Sequence, residues 1–300
     1  MLQLIAVLVA VFAGYQCKRL PVSMPVLNRF LGLSIQLILL IMGYEFGSTS
    51  ANLASELLVL GRIVAIFVGC IFIANFVSVS IVCRKYTRNF SVQHGKQSAS
   101  LFSYIKSSFK YLIYVICGII IGYLLSIPLH DLNFIISGLL LCVLFIIGFQ
   151  LRAQNIALRS ILMNKLGLMI ALSILFSSIG AGVIAALLSG LGVKTGMVLG
   201  SGFGWYTLSG ILTTGLINQQ MGTAAFFIDF SRELIALVLV PMLGNRYPLQ
   251  TIGYCGATAM DFSLPIIKET MGENVVPIAI TIGMLLSVLV PLLIPIIWQL

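Results

Sequence analysis

Asp229, Arg232, Glu233 and Asp261 stand inside apolar runs, FFIDFSRELIALVLVP (226–241) and AMDFSLP (259–265). Asp229 and Glu233 are four apart and share one face of a helix, and Arg232, three from Asp229, is spaced to pair with it. An ionised acid at a bilayer centre costs about 2.5–3.5 kcal/mol on insertion scales, so it needs a partner or a purpose. If Arg232 neutralises Asp229, the charge count leaves Glu233 and Asp261 over, the next basic residue after Asp261 being Lys268. Acids in consecutive apolar segments serve either as hydrogen-bonding glue between helices or as a cation site or proton relay. Two left over favour the site. In poorly solvated surroundings a carboxyl keeps its proton, and an arriving ammonium favours proton loss, so one set of groups can exchange a cation for protons.

The elements that must hold these residues are membrane helices. The chain has 300 residues, 60% hydrophobic and 8% charged, with a mean hydropathy of +1.12. Many runs approach the roughly 20 apolar residues that a spanning helix needs. The fold class is therefore all-α polytopic membrane protein, one integral membrane transporter domain over 1–300. About ten hydrophobic segments are expected, near 2–16, 29–46, 57–83, 109–128, 133–151, 167–190, 195–215, 223–243, 250–267 and 275–298. The first run, Leu2 to Tyr15, has no basic residues ahead of it and no small-residue cleavage site, which suits a short span better than a removable signal peptide.

The net charge of +9 does not point to nucleic acid, because the basic residues lie in short loops between apolar runs. Lys18, Arg19, Arg29, Arg84, Lys85, Arg88, Lys96, Lys106, Lys110, Arg152, Arg159 and Lys165 fall in or beside the first, third and fifth loops, 12 of the 17 Lys and Arg residues. The positive-inside rule puts those loops in the cytoplasm and both termini outside. The basic loop 84–108 reads as an orientation signal before it reads as a lipid-binding or regulatory patch. The six cysteines lack metal-ligand spacing and read as small packing residues. His94 in a loop and His130 at a span edge do not suggest a catalytic base. No cofactor and no metal site is expected.

Segments 195–215, with GSGFGWYTLSG, and 250–267, with GYCGATAMDFSLP, are interrupted by glycines and polar residues. Each reads as a broken helix or a re-entrant loop. Re-entrance of both leaves eight spans with the termini still outside; it also reverses the helix bearing Glu233 and brings Arg246 inside. Ten spans divide as five plus five, the pattern of an inverted repeat. CGIIIGYLLSIPL (117–129) and CGATAMDFSLPI (255–266) then fall at matching positions of the two halves, where transporters often interrupt helices. The glycines 196, 200, 202, 204, 210 and 215 serve either close helix packing or an unwound stretch whose helix ends contact an amino acid's charged groups. On the second reading Gly202, Gly204, Trp205, Tyr206, Ser209 and Thr258 support the acids. Trp205 and Tyr206 also read as interfacial anchors. Glu45, near the outer end of the second span, reads as interfacial.

SGFGWYTLSGIL (201–212), GTAAFFIDFSRELIALVLVP (222–241) and GYCGATAMDFSLPII (253–267) closely resemble the LysO-type lysine exporters of the bacterial inner membrane. The likeness is dense from about 198 to 296 and looser in FLGLSIQLILLIMG (30–43), NLASELL (52–58) and IIGFQLRAQN (146–155). It implies export of L-lysine and of its analogue thialysine, driven by the proton gradient, with both termini periplasmic. The family's pair of intramembrane acids carries over onto Glu233, in RELIA, and Asp261, in ATAMDF. Glu45 departs from the pattern, since a neutral residue is expected after the IMG string.

The residues alone fit a cation channel or a cation/proton antiporter equally well. An intramembrane aspartyl protease also uses two acids, but those enzymes resemble one another in a GxGD string, and this chain has GFGW at 202–205. A transporter is therefore expected, and not an enzyme.

Overall fold

The computed structural model describes residues 9–10, 12–17, 23–49, 53–84, 101–125, 132–153 and 164–300. Most of the first apolar run, Lys18 and Arg19, residues 85–100 of the basic loop 84–108, His94 and His130 lie outside them. No strand occurs among the described residues. After a short helical piece at 12–16 come α1 (Met24–Thr49), α2 (Leu53–Val82), α3 (Leu101–Leu125), α4 (Leu132–Ala153) and α5 (Lys165–Ser189). Then follow α6 (Val193–Leu199), α7 (Tyr206–Leu216), α8 (Gln219–Leu243), α9 (Pro248–Cys255), α10 (Leu264–Met271) and α11 (Val276–Gln299), with a 3-10 turn at Gly256–Met260 between α9 and α10.

Four of the described helices, α1, α2, α5 and α11 with the turn before it, are long and apolar enough to cross a membrane. At 25 residues α8 is as long as α5, but every window of 18 residues along it contains Asp229, Arg232 and Glu233. Leu58, Phe176 and Leu187 are 77%, 70% and 65% exposed on the outside of the bundle. Side chains of that kind in that place belong against lipid. The chain is a multi-pass membrane protein.

Local chemistry sets the helix ends. Asn164 caps α5, its side chain accepting from Gly167 N at 2.9 Å, and Asn218 caps α8 by accepting from Met221 N at 2.9 Å. Pro248, Pro265 and Pro277 stand in the first turns of α9, α10 and α11, where a missing N–H costs nothing. α1 and α3 run parallel and nearly touch: a Cβ on Gly43, Gly47, Gly118 or Gly122 would strike the facing backbone. These are two small-xxx-small faces laid together. α3 is unbroken from Leu101 to Leu125, so the interruption expected at 117–129 does not occur in its described part.

Contacts fix the direction of the remaining helices. Asn75 of α2 receives hydrogen bonds from Ser177 and Ser178 of α5, while Ser78 meets Ser173, so these two helices are antiparallel. Gly196 packs on Gly182 and Ala186, and Gly200 on Ser178, so α6 descends along α5 to its middle. α7 then runs back: Gly210 faces Phe226, and Thr214 faces Gly222, near the start of α8. At the opposite end Gln250 bonds Ser80 (3.1 Å), and Gly253 packs on Val79 and Ile170. α9 climbs from there to the middle, and α10 returns, since Met271 lies against Gly244 at the end of α8. Neither interrupted segment traverses the bundle. Each is a hairpin whose two arms end on the side they began, the first at the Glu45 end and the second at the Lys165 end.

Candidate functional site

The two hairpins meet at their tips. Ala257 N donates to Phe203 O across the gap at 2.9 Å. Phe203 and Gly204 hold positive φ at one tip (49° and 94°), and Gly256 does so at the other (63°). A Cβ on Gly256 would run into the Phe203 carbonyl and crowd Arg232 Nη2. Gly256→Ala is therefore expected to cost about 1–3 kcal/mol in backbone strain alone and more through the collision. Gly190, whose φ is 71° in open space, sets the control, because alanine there meets only the left-handed penalty of about 1–2 kcal/mol. Thermal unfolding in detergent should show the Gly256 variant melting well below the Gly190 variant. Equal melting would mean the tips tolerate separation.

α8 passes beside both tips and supplies a charge to each. Asp229, 2% exposed, accepts from Gly204 N at 2.7 Å and from Ser209 Oγ at 2.5 Å. It thus neutralises the positive N-terminal pole of α7. Arg232, 1% exposed, donates through Nε to Tyr254 O at 2.9 Å and lies 5.3 Å from the centre of the Tyr254 ring. Its cation sits at the negative C-terminal pole of α9. Lys268 pairs with Glu273 on the surface at 2.8 Å. The Asp229–Arg232 pairing suggested by their spacing gives way to two separate anchors. The physical reason is that half-helix ends leave backbone groups unsatisfied in the interior, and each charge solvates one of them.

Glu233 turns from the tips into a mid-bundle cavity of about 170 Å³ that also takes in Asp261 of the second hairpin. Gly204, Trp205, Tyr206 and Thr258 line the same space. The two acids that the charge count singled out thus share one cavity. Asp261 holds its orientation by accepting from Phe262 N at 2.6 Å. Trp205 and Tyr206 are cavity wall at mid-bundle, not anchors at a membrane surface. The glycine run divides by position. Gly196, Gly200 and Gly210 allow close packing, whereas Gly202 and Gly204 form the unwound tip, Gly202 because a Cβ there would displace the Asp229 carboxylate. The N-cap residue of α7, Trp205, makes no side-chain cap bond, and Asp229 supplies the anion at that end instead.

The remaining walls come from helices whose sequence gave no sign of the site: Leu31 and Ile35 of α1, Tyr111 of α3, Val143 and Ile147 of α4, and Ser287 of α11. They are ordinary apolar or small residues, and only tertiary contact identifies them. Glu45 lies near the outer end of α1 and is buried there. It is 8% exposed, and Gln219 Nε2 at the start of α8 donates to its Oε2 at 2.5 Å. Among the described residues no cluster of His, Cys, Asp and Glu could hold a metal ion.

The family model described as "Lysine exporter LysO" matches residues 112–298. The chain is 36% identical to the Lysine exporter LysO of Escherichia coli (strain K12) over 299 residues, covering 97% of each. It is 41% identical over 179 residues to a "Putative lysine exporter" of Haemophilus influenzae (strain ATCC 51907 / DSM 11121 / KW20 / Rd), covering 60% of this chain and 92% of that one. No solved structure matches. A family-wide match over the two hairpins and α8, together with an end-to-end relative, places the chain in the LysO lysine exporter family, a family of transporters.

Proposed function

We propose that the protein exports L-lysine, and its analogue thialysine, from the cytoplasm in exchange for protons. The observation that carries this reading is the shared cavity of Glu233 and Asp261 at the meeting of two half-helix hairpins. The side-chain ammonium docks between the two acids and drives off their protons. Gly204, Trp205 and Tyr206 of the first hairpin line the same cavity and contact the substrate's backbone groups. After the substrate leaves, the acids take up protons from the far side and return the site to its starting charge.

Sidedness follows from charge. With both hairpins re-entrant, eight segments span the membrane, and Arg246 and Lys268 join the basic residues of the odd loops on the cytoplasmic side. Lys194, its ammonium 5.7 Å from the centre of the Trp298 ring, marks the opposite surface. The termini are then periplasmic. Leu31, Ile35 and Tyr111 belong to the cytoplasmic halves of α1 and α3, so the cavity has its wall on the side from which lysine loads.

The test is efflux of radiolabelled lysine from purified protein in liposomes, with an imposed pH gradient of either sign. Export is expected to accelerate when protons run inward against lysine, and to lose most of its concentrative phase when a protonophore collapses the gradient. Arginine run in parallel reads selectivity. Flux that never saturates with lysine would favour a cation channel, and lysine flux indifferent to the gradient would sink proton exchange.

A further inference from the structure

The seam between α1 and α8 leads from the transport site to features that the site does not use. On α8, Gln219, Phe226, Phe230 and Glu233 are spaced by seven, four and three residues and so lie on one face. On α1 the cavity-lining Leu31 and Ile35 continue through Ile38 and Met42 to Glu45 at the same spacing. The two stripes run from the cavity to the periplasmic end, about 21 Å along α8. Between them stands an aromatic block. The Phe226 and Phe230 rings stack at 5.6 Å, 8° apart, Tyr206 meets each edge-on at 5.4 Å, and Tyr111 meets Tyr206 at 6.0 Å. Above the block the Glu45–Gln219 hydrogen bond ties the α1 end to the α8 start. Beyond it a second cavity of about 160 Å³ opens, lined by Phe46, Ser55, Glu56, Gln220 and Met221.

We propose that Glu45 is an exit-side latch, a positioning residue that holds the outer path shut through Gln219 until an ammonium reaches it. This rests on the lysine-export reading above. Tyr206, Phe226 and Phe230, buried and packed on one another, stand between the cavity and the periplasmic end, and the rings must part before a cation can pass over them. The Gln219 amide is a neutral donor, whereas lysine's ammonium is a charged one and makes a hydrogen bond to carboxylate roughly twice as strong. Arrival of the substrate at Glu45 displaces Gln219 and frees α8 from α1. A carboxamide at position 45 would still bond Gln219 but would not attract the ammonium, so the latch would stay shut.

Two readouts test this. In the first, Glu45→Gln is expected to lower maximal lysine efflux at least tenfold while the half-saturating internal lysine changes less than threefold, and Glu45→Asp restores much of the rate. In the second, a chain with all six cysteines replaced and Ser287→Cys on the cavity wall is exposed from outside to a membrane-impermeant thiol reagent. Adding Gln219→Ala or Glu45→Ala is expected to speed labelling at least tenfold. Unchanged maximal efflux in Glu45→Gln, or unchanged labelling in both alanine variants, overturns the latch. If the unmodified chain moves no lysine, the export reading falls, and the labelling experiment still decides whether Glu45 and Gln219 close the outer path.

Discussion

Glu233→Gln and Asp261→Asn are each expected to lower lysine efflux roughly tenfold to a hundredfold. That range is the loss of one charge-assisted hydrogen bond, about 1.5–3 kcal/mol, to the substrate's ammonium. Both substitutions keep side-chain volume, so the cavity of about 170 Å³ retains its shape and the fold should persist. The two variants should differ in one respect. Glu233 is 1% exposed inside the bundle, whereas Asp261 sits on the second hairpin tip, fixed by Phe262 N. Removing the carboxylate that is deeper in the protein should also abolish the gradient dependence of whatever flux remains. Efflux assayed in liposomes, with protein amount normalised, is the measurement. Two variants that export at the unmodified rate would make the acids structural and move the search to the Gly202–Gly204 tip.

Arg232→Met is expected to destabilise the protein far more than it alters any contact with substrate. Its guanidinium serves the Tyr254 carbonyl, the Tyr254 ring and, at 3.4 Å, Ser178 Oγ, all in the interior. Methionine fills much of the volume but strips the Tyr254 carbonyl of its charged donor, a loss of about 1.5–3 kcal/mol, and deprives the nearby Asp229 carboxylate of a favourable field. Asp229→Asn in the same chain removes the second charge, so the double variant should recover part of the lost melting temperature in detergent. Arg232→Lys should fall between, since a point charge cannot reproduce the fork that reaches carbonyl and hydroxyl together. A methionine variant that melts within about a degree of the unmodified protein would show that the tips need no cation.

How far the sequence could be read depends on where each residue's energy comes from. Glu233 and Asp261 were visible because a charge in an apolar run is costly wherever the helices finally pack. The fates of Asp229 and Arg232 were not visible. Their spacing permits a pair within one helix, and the competing partners, Gly204 N, Ser209 and the Tyr254 carbonyl, lie 20 to 25 residues away in sequence. The burial of Glu45 was hidden for a similar reason: its place near a helix end said nothing about Gln219, 174 residues further on. The hairpins were half legible. Gly and Pro marked the breaks, but an apolar stretch near 20 residues looks the same whether it crosses or turns back. Contacts such as Gly196 on Gly182 and Gly244 with Met271 decide that both stretches turn back.

The meeting of two hairpin tips also constrains how the chain can be made. Seven residues of α6 and eight of α9 extend only about 10–12 Å, far short of the roughly 30 Å hydrocarbon core. Neither arm can be threaded into the bilayer as an independent span during synthesis. The first hairpin ends at Leu216, before Asp229 and Arg232 have emerged, and the second cannot seat until Phe203 offers its carbonyl to Ala257. Both must enter after α8 is in place, each completing the other's backbone. Biogenesis therefore passes through a stage in which the outer helices are inserted and the centre is unfinished, and a chain cut before α9 retains spans but lacks Asp261 and the second hairpin tip.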